Sequence, residues 1–185
     1  MRKIPLSFSL TSTLATVAAA FALSACSPKF DWRDYRSSDA PYAVQFPGKP
    51  SSHSRSIKLD QLDVDMTMTA TEVDGVTFAV GSALLADPAQ AQAALLSMKT
   101  ALVKNIGGTV IKDQAAAVSS ANAAGATQQT TVEVEARGAQ HGEPVLLIGH
   151  FVAKDKRIYQ VIVIGREKQL VRDTVDTFLS SFKLN

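Results

Sequence analysis

The chain has 185 residues, 46% of them hydrophobic, a single cysteine and a formal net charge of +2. Two of its 19 basic side chains, Arg2 and Lys3, stand at the extreme N-terminus, and the other 17 face 17 acidic ones. That balance excludes the basic footprint of a nucleic-acid or anionic-lipid binder, and a lone thiol excludes an internal disulfide.

Residues 4–25 carry no charge and end in small side chains just before Cys26. A basic start, an apolar middle and small residues at a cut site describe a secretory signal peptide. The run approaches the roughly 20 apolar residues that span a bilayer, but Ser7, Ser9, Thr11, Ser12, Thr13 and Thr16 dilute it. Leu23-Ser24-Ala25-Cys26 resembles the lipobox of bacterial lipoproteins. That resemblance implies cleavage before Cys26 and acylation there with chains of the palmitate type, and two or more such chains hold a protein firmly at a membrane. Ser27 stands where an aspartate would resemble an inner-membrane retention signal. The expected place is therefore the cell envelope, at the outer membrane and facing the periplasm.

Removing residues 1–25 leaves 160, enough for one domain that buries roughly 70% of its unfolded surface. Residues 26–40 are expected to be the lipidated cysteine and a tether, and residues 41–185 a single domain. At about 3.3 Å per residue, the fourteen polar residues 27–40 would reach roughly 45 Å. Trp32 and Tyr35 within them either rest at the membrane interface or, as is commoner, pack on the domain.

Residues 42–46 alternate as a strand that Pro47-Gly48-Lys49-Pro50 breaks. The polar stretch 53–59 reads as an edge strand. From 62 to 71 the period of two is strict, with Leu62, Val64, Met66, Met68 and Ala70 opposite Asp63, Asp65, Thr67, Thr69 and Thr71. Asp74-Gly75 turns the chain into a return strand carrying Val76, Phe78 and Val80. At Asp87-Pro88 the period changes, because an aspartate cap and a proline in the first turn both suit a helix start. Ala91, Leu95, Met98, Leu102 and Ile106 then define one helix face, and Gly107-Gly108 ends it.

Residues 108–118 make a weak strand, 119–125 a small polar loop, 127–137 an alternating strand and 138–144 a connection. Residues 145–153 and 158–164 are apolar on both sides apart from His150, which marks central strands. A tight charged turn, Lys154-Asp155-Lys156-Arg157, joins them. Residues 167–182 close the chain as a helix presenting Val171, Val175, Phe178 and Phe182. The order predicts an α+β domain, a mostly antiparallel sheet covered by two helices.

Phe46-Pro47-Gly48-Lys49-Pro50, the strand pair across Asp74-Gly75 and the ending Phe178-Leu179-Ser180-Ser181-Phe182-Lys183-Leu184 resemble uncharacterised proteobacterial envelope lipoproteins with a PsbP-like domain. The resemblance covers roughly residues 40–184 and implies an α/β/α sandwich serving as a binding or accessory module. It carries no catalytic residue with it.

Catalytic constellations are absent from the sequence. There is no Gly-x-Ser-x-Gly elbow, and the one thiol is committed to lipid. His53, His141 and His150 each stand apart from an acidic motif, and burial of His150 on a central strand would shift its pKa. Asp63, Asp65, Glu72 and Asp74, like Glu133, Glu135 and Arg137, read as solvated faces without the dense liganding of a cation site. The expected protein is a non-catalytic envelope module, with no cofactor or metal, that binds an envelope protein or component. The alternative is a small-molecule carrier or sensor with a pocket between sheet and helix lined by Met66, Met68, Phe78 and Met98.

Overall fold

The computed structural model describes residues 29–122 and 125–185, with backbone alone across 116–128. Leu23, Ser24, Ala25 and Cys26 lie outside the described residues.

Among the described residues the strands are β1 (Arg33–Arg36), β2 (Tyr42–Phe46), β3 (Ser51–Leu59), β4 (Leu62–Val73), β5 (Val76–Leu84), β6 (Thr109–Asn122), β7 (Gly125–Gln140), β8 (Glu143–Lys154), β9 (Arg157–Gly165) and β10 (Lys183–Leu184). Helix α1 (Ala91–Asn105) lies between β5 and β6, and α2 (Arg172–Ser181) precedes β10. The strands form a seven-stranded sheet in the order β3-β4-β5-β9-β8-β7-β6 and a three-stranded sheet in the order β1-β2-β10. Every recorded pairing is antiparallel. The domain is thus α+β, with a mostly antiparallel sheet and two helices.

Strict alternation gives the main sheet two different faces. Val64 and Met66 of β4, Ala79 and Ala83 of β5, Ile158 and Ile162 of β9, Leu147 and Phe151 of β8, and Val132 and Val134 of β7 join Leu95 and Met98 of α1 in one core. Phe78 and Val80 of β5, Tyr159, Val161 and Val163 of β9, and Leu146 and Ile148 of β8 face the other way. There they meet Tyr42, Val44 and Phe46 of β2 and Val175 and Phe178 of α2. The central strands β5, β9 and β8 are therefore covered on both sides, as their unbroken apolar runs require. Thr69 and Tyr42 meet between the two sheets, with the Tyr42 hydroxyl donating to Thr69 Oγ1 at 3.4 Å.

Helix α1 follows a one-turn 3₁₀ segment at Pro88–Gln90, where the Asp87 carboxylate accepts from the Ala89 N–H. It ends where Gly107 takes φ +55°, a conformation that costs a side-chain-bearing residue more than glycine. Ile106 then packs on β7, and its carbonyl accepts from the Ala139 N–H at 2.7 Å.

Several expectations are corrected. The stretch expected as tether contains β1, which pairs with β2 in the register Arg33↔Phe46 to Arg36↔Ala43. Its one inward side chain, Tyr35, stacks edge-on to Phe46 at 5.7 Å; a single apolar position among charges leaves no period to read. Trp32 also packs against the domain, so for both aromatics the commoner of the two expected arrangements is the one observed. Residues 119–125, expected as a loop, belong largely to the long β6–β7 hairpin, whose pairing runs out to Asn122↔Gly125. The connection expected over 138–144 shrinks to the turn His141-Gly142, both at positive φ. The closing helix is shorter at its start, because Leu170 and Val171 are extended and leave Glu167–Gln169 as a separate 3₁₀ turn. Val171, placed on the buried face by its spacing, is 48% exposed.

Candidate functional site

Helix α2 and the small sheet cover the middle of the main sheet but not its β7–β6 side. On that face the inward-pointing positions change from apolar to charged: Ile148 of β8 is opposite Glu135 of β7, and His150 is opposite Glu133. Lys112 of β6 continues the row beside Glu135. A groove of about 120 Å³ runs between this row and α2, lined by Lys112, Glu133, Glu135, His150, Arg172 and Asp176 among others.

The charges are matched in pairs. Arg172 Nη1 and Nη2 donate to the two carboxylate oxygens of Glu135 at 3.1 Å each, a two-pronged geometry that orients as well as binds. Glu135 is the less exposed partner, at 18% against 55% for Arg172. The guanidinium's hydrogen bonds hold the Glu135 carboxyl below its ordinary range of about 4.5. Lys112 Nζ donates to Glu133 Oε2 at 3.3 Å. His150 Nε2 lies 3.8 Å from Glu133 Oε1, beyond hydrogen-bond range. Burial pushes the His150 pKa down from 6.5, and the neighbouring Glu133 only partly offsets it. Next to the groove, Arg137 donates twice to Glu167, at 2.8 and 3.3 Å.

Chemically the groove offers a neutral imidazole beside a carboxylate, and no serine, threonine or cysteine lines it.

The imidazole has a measurable consequence for stability. A histidine whose folded pKa is depressed binds fewer protons folded than unfolded, so its penalty grows as pH falls below about 6.5 and is complete below the folded value. Glu135 acts lower down: its contribution is present above about 4.5 and lost as pH falls through the lower folded value. Urea midpoints of the wild type should therefore fall between pH 7.5 and 5, and His150→Gln should flatten that limb while leaving the drop below pH 4.5. An unchanged slope in the variant would remove His150 as its cause.

A second concavity, an open hollow of about 550 Å³, lies where β1, β2 and the C-terminal end of α2 meet. Asp34, Gln45, Ser181 and Lys183 line it. Three of these residues are already engaged, since Gln45 Nε2 donates to Asp34 at 2.9 Å and Ser181 Oγ accepts from the Gln45 N–H.

The pocket expected from Met66, Met68, Phe78 and Met98 does not form as one space. Met66, Met68 and Met98 share the α1 side of the sheet, whereas Phe78 faces α2. Phe78 is opposite Thr71 and so shares the face of Thr67, Thr69 and Thr71, whereas Met66 and Met68, at alternate positions of β4, point the other way. On the α1 side the space is filled. Gly81 leaves room that the Met68 sulfur and Gln160 occupy, each within 2.7 Å of where a Cβ would stand, and Gln160 Nε2 donates to that sulfur at 3.2 Å.

His53 is exposed on β3 and His141 sits in the β7–β8 turn, both remote from His150. Asp63 and Asp65 point outward from β4, paired with Lys58 and Ser56, and Asp74 pairs with Lys29 at 3.0 Å. Among the described residues no group of three His, Cys, Asp or Glu is placed to hold a metal ion. Glu133 and Glu135, read from the sequence as a solvated face, are instead the centre of the groove. The signal for them was alternation on β7 combined with Arg172 and Asp176 one turn apart on the closing helix.

No family model and no curated protein matches the chain. Among solved structures, a Pseudomonas aeruginosa protein of unknown function is similar at 12% identity over 75% of this chain and 85% of that one, with a TM-score of 0.32. A likeness that loose carries no argument about fold or function.

Proposed function

We propose that this chain is a lipid-anchored lipoprotein of the cell envelope, facing the periplasm from the outer membrane and acting as a non-catalytic binding or accessory module. The carrying observation is the position of Leu23-Ser24-Ala25-Cys26 relative to the domain. Lys29 and Asp31, three and five residues after that cysteine, already make contacts with the body of the domain, to Asp74 and to the Pro47 carbonyl. Cleavage before Cys26 would thus release an intact globule whose first residue carries the acyl chains. The paired charges of the groove support a binding role. We assign the domain to the PsbP-like version of the α+β fold, a reading supported by the two helices packing on opposite faces of the main sheet. The carrier alternative has less to support it, because its methionine-lined space is filled.

Replacing Cys26 by alanine tests the anchor. The expected result is loss of the protein from the membrane fraction, with its urea transition and circular dichroism unchanged. A variant that stays with the membrane, or a wild type that never enters it, would contradict the proposal.

A further inference from the structure

If Cys26 carries the lipid, the leash between bilayer and domain is far shorter than the sequence suggests, and it leaves from one defined end. Lys29 Nζ is 3.0 Å from Asp74, and the Lys29 side chain also lies over the Phe30 ring at 5.4 Å. The Asp31 N–H donates to the Pro47 carbonyl at 3.1 Å. Only residues 26–28 precede these contacts, and three residues reach at most about 11 Å. The main sheet is much longer than that: the nine residues of β5 alone span about 26 Å.

The two ends of the sheet are therefore not equivalent. At the Lys29 end lie the Asp74-Gly75 turn, the rung Val76↔Gly165 with Leu146 beside it, and the segment Glu167–Gln169. At the opposite end lie the rung Leu84↔Arg157, the β8–β9 turn and the tip of the β6–β7 hairpin. The Lys29 end also carries the chemistry of an interface. Phe30, Leu170 and Val171 border one crevice with Lys29 and its partner Asp74, Trp32 is 6.2 Å from Phe30, and Arg166, Glu167 and Lys168 are exposed next to Leu170 in the chain. Aromatic and aliphatic groups rimmed by lysine and arginine are what a lipid headgroup layer accommodates.

We infer that the end of the domain formed by Lys29, Phe30, the Asp74-Gly75 turn and residues 166–171 is a lipid-facing surface, held against the membrane that anchors Cys26. The inference rests on the lipoprotein reading. It makes the β6–β7 hairpin the part furthest from the bilayer, since β7 continues from its last rung with β8, Gln129↔Lys154, to Gly125, about 13 Å more at strand spacing.

The test uses the full-length protein, processed in cells and reconstituted into phosphatidylcholine vesicles containing a lipid with a nitroxide on its headgroup. Cysteines introduced one at a time by Lys168→Cys, Val171→Cys and Lys156→Cys, all at exposed positions, carry a fluorophore. Acylation blocks Cys26 itself. Labels at 168 and 171 should be quenched at least about twofold more than the label at 156, given the sheet-length separation between them. A flexible insert of about twenty residues between Pro28 and Lys29, with a root-mean-square span near 25 Å, should abolish that difference. Protein that floats with the vesicles but shows equal or reversed quenching overturns the orientation alone. Protein that does not float overturns the anchor, and this inference falls with it.

Discussion

Phe178→Ala should destabilise the domain by about 3–5 kcal/mol, the range for removing a buried aromatic ring whose surroundings cannot collapse. Phe178 is fully buried. Its ring centroid stands 5.4 Å from Phe46 of the small sheet and 5.4 Å from Phe78 of the main sheet, so one side chain on α2 joins three elements. The contact with Phe78 is edge-on at 77°, an arrangement that adds to simple burial. Neither strand can close the gap, because both are fixed in register by their neighbours: Phe78 by β4 and β9, Phe46 by β1. Against a typical total of about 5–15 kcal/mol, such a loss is a large fraction of stability. The measurement is a urea transition on protein also carrying Cys26→Ala, which removes the lipid. Val171→Ala, at a half-exposed, extended position just before α2, should change it by less than about 0.5 kcal/mol. Equal effects from the two variants would show that α2 does not dock as described.

Gly138→Ala is expected to be nearly as damaging, by about 2–3 kcal/mol, although it adds a single methyl group. A Cβ at Gly138 would lie 2.3 Å from the Ile106 carbonyl oxygen, 2.8 Å from Ile106 Cγ1 and 3.0 Å from Gly108 Cα. Two of these three obstacles are backbone, and the carbonyl is fixed by its hydrogen bond from the Ala139 N–H. Relief requires the end of α1 to lift from β7, which would expose Ile106, now 4% exposed. Gly107→Ala separates sterics from backbone conformation. Gly107 has φ +55° but nothing within 4 Å of a Cβ, so its cost should be the conformational one alone, about 1–2 kcal/mol. A Gly138 variant less destabilised than the Gly107 variant would contradict the close approach of α1 to β7.

The same two sites explain what the sequence made legible. The buried face of α1 was readable because Ala91, Leu95 and Met98 recur at helical spacing and all three are buried. Strands β4, β5, β8 and β9 were readable because alternation or continuous apolarity has a direct meaning in a sheet covered on one side or both. What failed were elements held by partners distant in sequence. Strand β1 shows no period, and exists because Tyr35 inserts beside Tyr42 and Phe46 while its backbone completes the edge of β2. Strand β10, two residues long, is positioned by Lys183↔Ala43 and Leu184↔Tyr42, some 140 positions apart in the chain. The tip of the β6–β7 hairpin is rich in alanine and serine, small residues with no strand preference of their own, and pairing along a long ladder makes up for it.

The groove was half legible for a related reason. His150 stands out in the sequence as the one polar interruption of an apolar strand. Its companions, Glu133, Glu135 and Arg172, look like ordinary surface charges until β7 is laid beside β8 and α2 is closed over both. The Glu135–Arg172 pair spans 37 positions, and local patterning carries no information at that range. The methionine pocket failed through face assignment: two strands joined by a two-residue turn place their apolar sets according to register, and Phe78 fell on the side of α2.

Under the lipoprotein proposal, a short leash would also change how the domain meets a partner. With Lys29 tied to Asp74, lipid on Cys26 would fix which end of the sheet approaches the bilayer and leave the groove on the flank between the two ends. A partner reaching Glu133, His150 and Arg172 would then have to come from the side, at a height set by strand length rather than by a flexible tail.

The most direct measurement is the mass of the N-terminal peptide of the protein purified from cell membranes. The expected peptide begins at Cys26 and carries a diacylglyceryl group on sulfur with a further acyl chain on the amine. A peptide that retains residues 1–25, or one that begins elsewhere and bears a free Cys26 thiol, would contradict the lipoprotein reading outright.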